Sequence, residues 1–261
     1  MSKIRLDVLL VERGLAPTRN KAQALIMAGK VQVEGQVVSK AGTQIPADAA
    51  VELKSDLPYV SRGGLKLAAA LDAFDIEPHR AICADVGAST GGFTDVLLQR
   101  GAQRVYAIDV GYGQLAWALR QDASVVVMER TNARYLKTLP EPVDLVTIDA
   151  SFISLKLIFP AVVKWLNSPA RVIALVKPQF EAGKDQVGKG GVVRDQAVHR
   201  HVLETVIADA GQTGLELLGL VPSPITGPAG NREFLTCFGW HLSQPPFAVE
   251  AALEACLDSP P

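Results

Sequence analysis

The stretch ADVGASTGGFTD, residues 84–95, decides the fold: a strand-like run breaks into glycines and hydroxyl side chains before apolar residues resume. Strand, glycine-rich turn and helix start are the parts of a ligand loop in an open α/β sheet. Three chemistries fit the pattern. GASTG matches the G-x-S-x-G of a serine nucleophile elbow, the glycines approach a dinucleotide fingerprint, and the small residues suit the loop of an enzyme that binds S-adenosyl-L-methionine (SAM).

Outward from this loop, AICADVG, RVYAIDVG, SVVVMERTNA, VDLVTIDAS, RVIALVKPQF, LELLGLVPS and EFLTCFGWH form seven short apolar, β-branched runs. Helix-length segments separate most of them. That alternation predicts an α/β fold whose mostly parallel sheet is covered on both faces, with ligands outside the carboxyl ends of the strands. GGLKLAAALDAF predicts a helix beginning near Gly64, and LKSDLPYVSR before it reads as a linker.

The rest of the chain discriminates among the three chemistries. A dinucleotide site uses its second glycine to let the backbone approach a pyrophosphate, and Ser89 stands at that position. A nucleophile elbow needs an acid and then a histidine in chain order. His199 and His201 are available, but both lie in QAVHRHVLETVI, which reads as a helix interior. The third chemistry accounts for more residues. Asp85, the small residues from Gly87 to Gly92, and Asp109 at the next strand end suit an adenosine ligand with a compact amino-acid head. Asp109 would accept from ribose hydroxyls. Asn132 in ERTNAR either meets the adenine edge or caps the following turn.

With 261 residues and 48% hydrophobic content, the chain can bury a large core in one or two domains. No run approaches ~18 uncharged apolar residues, and MSKIRLDVLL lacks the pattern of a signal peptide, so the expected location is the cytoplasm. Cys83, Cys237 and Cys256 are far apart and lack CxxC spacing, which suggests neither a disulfide framework nor a zinc site. The net charge of -1 hides an asymmetry: residues 1–40 carry seven Lys/Arg against three Asp/Glu. A small polyanion-binding module on a larger body would show that distribution.

In this front segment, Leu6 to Val11 predict a short helix ending at Gly14. Thr18 predicts the cap of a second helix that buries Ala22, Leu25 and Ile26 and ends at Gly29. VQVEGQVV predicts a hairpin turning at Glu34-Gly35. These phrases resemble the S-four (alpha-L) RNA-binding domain of ribosomal-protein type over about residues 5–53. That resemblance makes Arg19, Lys21, Lys30 and Lys40 candidate phosphate contacts.

Over nearly its whole length the chain resembles the TlyA (hemolysin A-like) ribosomal RNA methyltransferases, whose catalytic domain is FtsJ-like. SRGGLKL, DVGASTGGFTD, IDVGYGQLAW, ERTNAR, DASFISL, LVKPQFE, KGGVVRD and GNREFL carry the likeness, in that order. The resemblance implies a Rossmann-like SAM-dependent domain with a seven-stranded sheet at 62–240, an α+β RNA-binding domain at 1–54, a linker at 55–61 and a tail at 241–261. It also implies 2'-O-methylation of a ribose, a cytidine, in ribosomal RNA of the large subunit, with the small subunit as a second candidate target. The partner is ribosomal RNA or a ribosomal subunit, with no membrane and no metal.

The FtsJ-like tetrad falls on Lys66, Asp149, Lys177 and Glu233. Lys177 is the candidate base, oriented by Asp149, with a neighbouring cation and partial desolvation favouring its neutral form. Lys66 and Glu233 would position the ribose. The cofactor set is Asp85, Gly87, Ser89, Thr90, Gly91, Gly92, Phe93, Asp109, Asn132 and Asp149. EAGKDQVGKGGVVRD is expected to be a flexible cationic loop closing over RNA through Lys184, Lys189 and Arg194. Two other classes stand beside this reading. One is a non-catalytic RNA-binding or ribosome-assembly factor that keeps the ligand fold; the other is the membrane lysis that the hemolysin name suggests, for which spanning or amphipathic segments are missing.

Overall fold

The computed structural model describes residues 3–53, 58–243 and 247–259. Residues 55–57 of the expected linker at 55–61 and parts of the expected tail at 241–261 lie outside them. The chain divides into two compact units, Met1–Pro58 and Tyr59–Pro261.

In the first unit, β1 (Lys3–Arg5) runs into α1 (Leu6–Glu12), followed by α2 (Arg19–Met27). Thr18 caps α2, its hydroxyl accepting from the Lys21 N–H. Then come β2 (Val31–Val33), β3 (Gln36–Val37), β4 (Gln44–Pro46) and β5 (Val51–Leu53). Between β2 and β3, Glu34 and Gly35 both take positive φ, 48° and 76°, as a tight hairpin turn requires. β3-β2-β5 form one antiparallel sheet and β1-β4 a second, two-stranded one, which the sequence pattern does not announce. Leu6, Leu10, Ala22, Ile26 and Val31 are fully buried between helices and sheets, and Leu25 is only half-buried at the edge of this core.

The second unit opens with α3 (Gly63–Ala73) and then alternates: β6 (Ile82–Val86), α4 (Gly92–Gln99), β7 (Arg104–Ile108), α5 (Trp117–Gln121), β8 (Val125–Met128), β9 (Val143–Ile148). It continues with α6 (Phe159–Val162), β10 (Leu166–Val176), α7 (Pro178–Glu181), α8 (Gln196–Gly211), β11 (Glu216–Pro222), β12 (Phe234–Trp240) and α9 (Val249–Asp258). The seven expected strands form one sheet in the order β11-β12-β10-β9-β6-β7-β8. β10, β9, β6, β7 and β8 are parallel, and β12 runs antiparallel to both β10 and β11.

Side chains alternate across this sheet because successive Cβ atoms point to opposite faces. Ala84, Val86, Val172, Ala174, Val176, Phe234 and Phe238 join one core; Cys83, Ile173, Leu175, Leu235 and Cys237 join the other. Each large side chain so buried contributes roughly 1.5–3 kcal/mol. Cys83, Cys237 and Cys256 are free, buried thiols, and burial pushes the last two up to about 12, so they pack as small apolar groups. Among the described residues, no helix is long and apolar enough to cross a membrane.

The strand order reverses direction at β6, with β7 on one side and β9 on the other. A crevice opens at that point, outside the carboxyl ends of the strands. The glycine-rich stretch lies there.

Candidate active site

β6 is followed directly by Gly87, whose φ is +84°, and a Cβ there would lie 2.5 Å from the Asp149 carbonyl oxygen. Only glycine lets the two strand ends approach so closely. Beneath the loop, Asp85 is completely buried: one carboxylate oxygen accepts from Thr94 N–H and Oγ1 at 2.9 and 2.7 Å, the other from Thr147 Oγ1 at 3.2 Å. Desolvation raises its pKa from 3.8 to about 7, opposed by the threonine bonds.

Two adjoining lobes share Gly87, Ser89, Asp149, Ser151, Phe152 and Phe180 in their walls. The larger, about 810 Å³, adds Asp109, Gln114, Thr131, Asn132 and Arg134 with the apolar Ile108, Ile153, Leu157 and Ile158. Asp109 accepts from the Ser89 N–H at 2.8 Å and the Gly111 N–H at 2.7 Å, and each oxygen keeps a further lone pair. Asn132 lines the lobe and also caps the next turn, its Oδ1 accepting from Arg134 N–H at 3.1 Å. Its amide nitrogen remains available to the lobe.

The second lobe, about 620 Å³, holds all four tetrad residues. Lys66 donates to Glu233 Oε2 at 2.5 Å, both side chains being buried. Lys177 Nζ forms an ion pair with Asp149 Oδ1 at 2.5 Å, without a hydrogen bond to that oxygen, and donates to Ser151 Oγ at 2.9 Å. Thus two lysine–carboxylate pairs share one lobe, next to a second lobe with nucleoside-sized walls.

Several expected contacts fall elsewhere. Asp85 has no surface in either lobe; it ties β6 to the start of α4 from below. Gly91 is the left-handed cap of α4, with φ +97°, and its Cβ position faces Leu115 and Leu119 rather than a lobe. Thr90, Gly92 and Phe93 line the Lys177 lobe, not the Asp109 lobe. The Lys184 side chain lies outside the described part of the structure, and Lys189 and Arg194 are exposed away from the walls. Nor is the 188–194 segment a free loop. Gly188 bridges Val192, Val193 is buried, and Asn231 holds both Gly191 O and Val193 N–H, at 2.8 and 3.0 Å. Gly190 and Gly191 form a rim of the Lys177 lobe.

In the first unit, Arg19 donates to the fully buried Asp7 at 2.9 Å, together with Arg5 and Gln23. Those bonds, Arg5's first, hold the Asp7 carboxyl well below the usual range. Arg19 therefore anchors α2 on α1, while its side chain stays half-exposed. Lys21 and Lys40 are exposed and Lys30 is partly so.

The sequence reading passed over Asn231 and Glu181, although both stand inside motifs quoted for their neighbours. Glu181 accepts from Leu155 N–H at 2.9 Å and Ser154 Oγ at 2.7 Å, bracing the DASFIS turn. That turn presents Phe152, 89% exposed at φ +63°, against Phe180. No histidine lines either lobe: His199 is buried against Phe234, its ring bonded to Val193 O, so the nucleophile-elbow reading fails.

The sheet order, the glycine loop at the switch point and the adjoining lobes define a SAM-dependent methyltransferase. Residues 59–240 match the FtsJ-like methyltransferase family and residues 4–51 the S4 domain. The 16S/23S rRNA (cytidine-2'-O)-methyltransferase TlyA of Mycobacterium tuberculosis is 47% identical over 253 residues, 95% of this chain and 93% of that protein. A Bacillus subtilis protein provisionally named the rRNA methyltransferase YqxC is 53% identical over 245 residues, 91% of this chain and 86% of its own length. A solved structure from Streptococcus thermophilus, provisionally named a hemolysin, shares 46% identity at a TM-score of 0.74, covering 98% of this chain and 95% of that one. The chain belongs to the TlyA family of FtsJ-like methyltransferases.

Proposed function

We propose that the protein methylates the 2'-hydroxyl of a cytidine ribose in ribosomal RNA, in the large subunit and also in the small, as the name of the M. tuberculosis relative describes for that enzyme. The observation that carries this reading is the pair of lysine–carboxylate contacts, Lys177–Asp149 and Lys66–Glu233, within the lobe beside the Asp109 lobe.

The Asp109 lobe fits SAM. Asp109 offers lone pairs to ribose hydroxyls, the Asn132 amide an edge for adenine, Ile108, Ile153 and Leu157 apolar walls, and Gly87 and Ser89 a route into the Lys177 lobe. Bound there, SAM supplies an electrophilic methyl group. The chain's own work is to place a 2'-hydroxyl and take its proton. Lys177 is oriented by its hydrogen bond to Ser151 at 2.9 Å and held electrostatically by Asp149 at 2.5 Å. Acting as the general base, it accepts the hydroxyl proton as the oxygen attacks. Asp149 then stabilises the ammonium. Lys66 and Glu233, locked together, mark where the ribose sits. Placement supplies most of the rate, because a hydroxyl held in line with its electrophile reacts as if at very high concentration.

A family that acts on ribosomal RNA works in the cytoplasm, and the basic first unit gives it a docking module for the RNA backbone. Mapping 2'-O-methyl positions in both ribosomal RNAs from cells with and without the gene tests the reading. A cytidine position that loses its methyl group in the deletion strain is expected; identical maps would refute it.

A further inference from the structure

Along an extended segment successive side chains point to opposite sides, and the segment entering β12 uses both. Asn231 and Glu233 line the Lys177 lobe. Arg232, between them, turns away and reaches the end of α9: Nη1 donates to Leu257 O at 2.9 Å, and Nη2 to Cys256 O and Ser259 O, each at 2.6 Å. The last carbonyls of a helix lack partners within it and carry the negative end of its dipole, so a guanidinium satisfies both needs at once. Arg232 Nε is buried without an acceptor, a desolvation cost that those three bonds offset.

α9 is itself anchored. Leu253, Cys256 and Leu257 are buried in the main core, whereas the Arg200–Glu250 pair near the helix start lies at the exposed surface and adds little to that anchor. The helix lies beyond residue 240, where the FtsJ-like match ends. On the lobe side, the turn before β12 leaves little slack: the Gly227 N–H donates to Asn231 O at 2.9 Å, and a Cβ at Gly227 would lie 2.5 Å from Glu233 Oε1.

We propose that α9 is a clasp for the reaction site and that Arg232 is a positioning residue for methyl transfer. By fixing residue 232 from behind, the helix end holds Glu233 on Lys66 and Asn231 on the Gly191–Val193 rim. The role in transfer rests on the reading of the Lys177 lobe given above; the clasp itself does not.

The test uses the full-length protein with Arg232→Gln, Arg232→Lys and Arg200→Ala. Hydrogen exchange of the peptide spanning Gly191–Val193 reads the clasp, calorimetry reads SAM affinity, and kcat on ribosomal RNA reads transfer. In Arg232→Gln the rim exchanges about tenfold faster or more, and kcat falls by about tenfold or more, as expected for a small displacement of reacting groups. SAM affinity stays within about twofold, and exchange in β7 is unchanged. Arg232→Lys keeps the charge without the planar fork, so it gives intermediate values, and it carries the test if the glutamine variant does not fold. Arg200→Ala, which loses only exposed pairs, leaves all three readouts in place. Unchanged rim exchange in a folded Arg232 variant overturns the clasp. Faster exchange with unchanged kcat leaves the clasp standing and overturns the role given to Asn231 and Glu233.

Discussion

Asp85 holds β6 to α4 with a carboxylate that water does not reach. Its pKa near 7 means that the folded protein keeps this proton between about pH 4 and 7, where the unfolded chain has lost it. The folded state then binds more protons, so Asp85 contributes stability that is full below about pH 4 and is lost as pH rises through 7. The contribution is on the order of a few kcal/mol. Asp85→Asn removes it: between pH 5 and 8 the wild-type melting temperature should fall relative to the variant's, whereas parallel curves would place the titration elsewhere. On the proposed mechanism Lys177 is the complementary case, a side chain needed for chemistry rather than folding. Lys177→Ala should lower kcat by ~10²–10⁴, the range of a positioned general base, with SAM affinity within about twofold. Lys177→Arg should be equally inactive, because a guanidinium does not release its proton near neutral pH. An active arginine variant would show that the position supplies only charge.

At the scale of elements, the first unit turns on Asp7, which binds Arg5, Arg19 and Gln23 and thereby fastens α1 to α2. Arg19→Glu would set a second carboxylate against it, so a loss of RNA affinity in that variant would mix unfolding with lost contact. Lys21→Glu with Lys40→Glu avoids Asp7. This double variant should melt like wild type, bind RNA more weakly, and lower the slope of log affinity against log salt by ~2; an unchanged slope in salt titrations would remove these lysines from the RNA surface. The elements themselves were legible where local pattern sufficed. Seven apolar runs, closed by glycine, charge or proline, became β6 to β12, and Thr18 and Glu34-Gly35 marked a cap and a turn. The β1-β4 pair escaped because three-residue strands carry too little alternation to read. Long-range partners were not legible at all. Lys66 and Glu233 stand 167 residues apart, and only the family resemblance joined them; Arg232 and the end of α9 had no such guide.

At the scale of the whole molecule, the proposed function divides the labour between the two units: a basic front segment for RNA, and a second unit that carries every proposed cofactor and catalytic residue. Removing residues 1–58 should leave SAM affinity within about twofold, since both lobes are lined from Ser61 onward. Methyl transfer at limiting RNA should collapse, with most of its salt dependence lost. Full transfer by the shortened chain at low RNA would assign docking to the catalytic unit instead. The central claim concerns the atom that receives the methyl group. It is tested most directly by incubating the purified protein with ribosomal subunits from cells lacking the gene and SAM labelled in its methyl group, then digesting the RNA to nucleosides. The account predicts label in 2'-O-methylcytidine, absent with Lys177→Ala; label on a base, or none in either subunit, would contradict it.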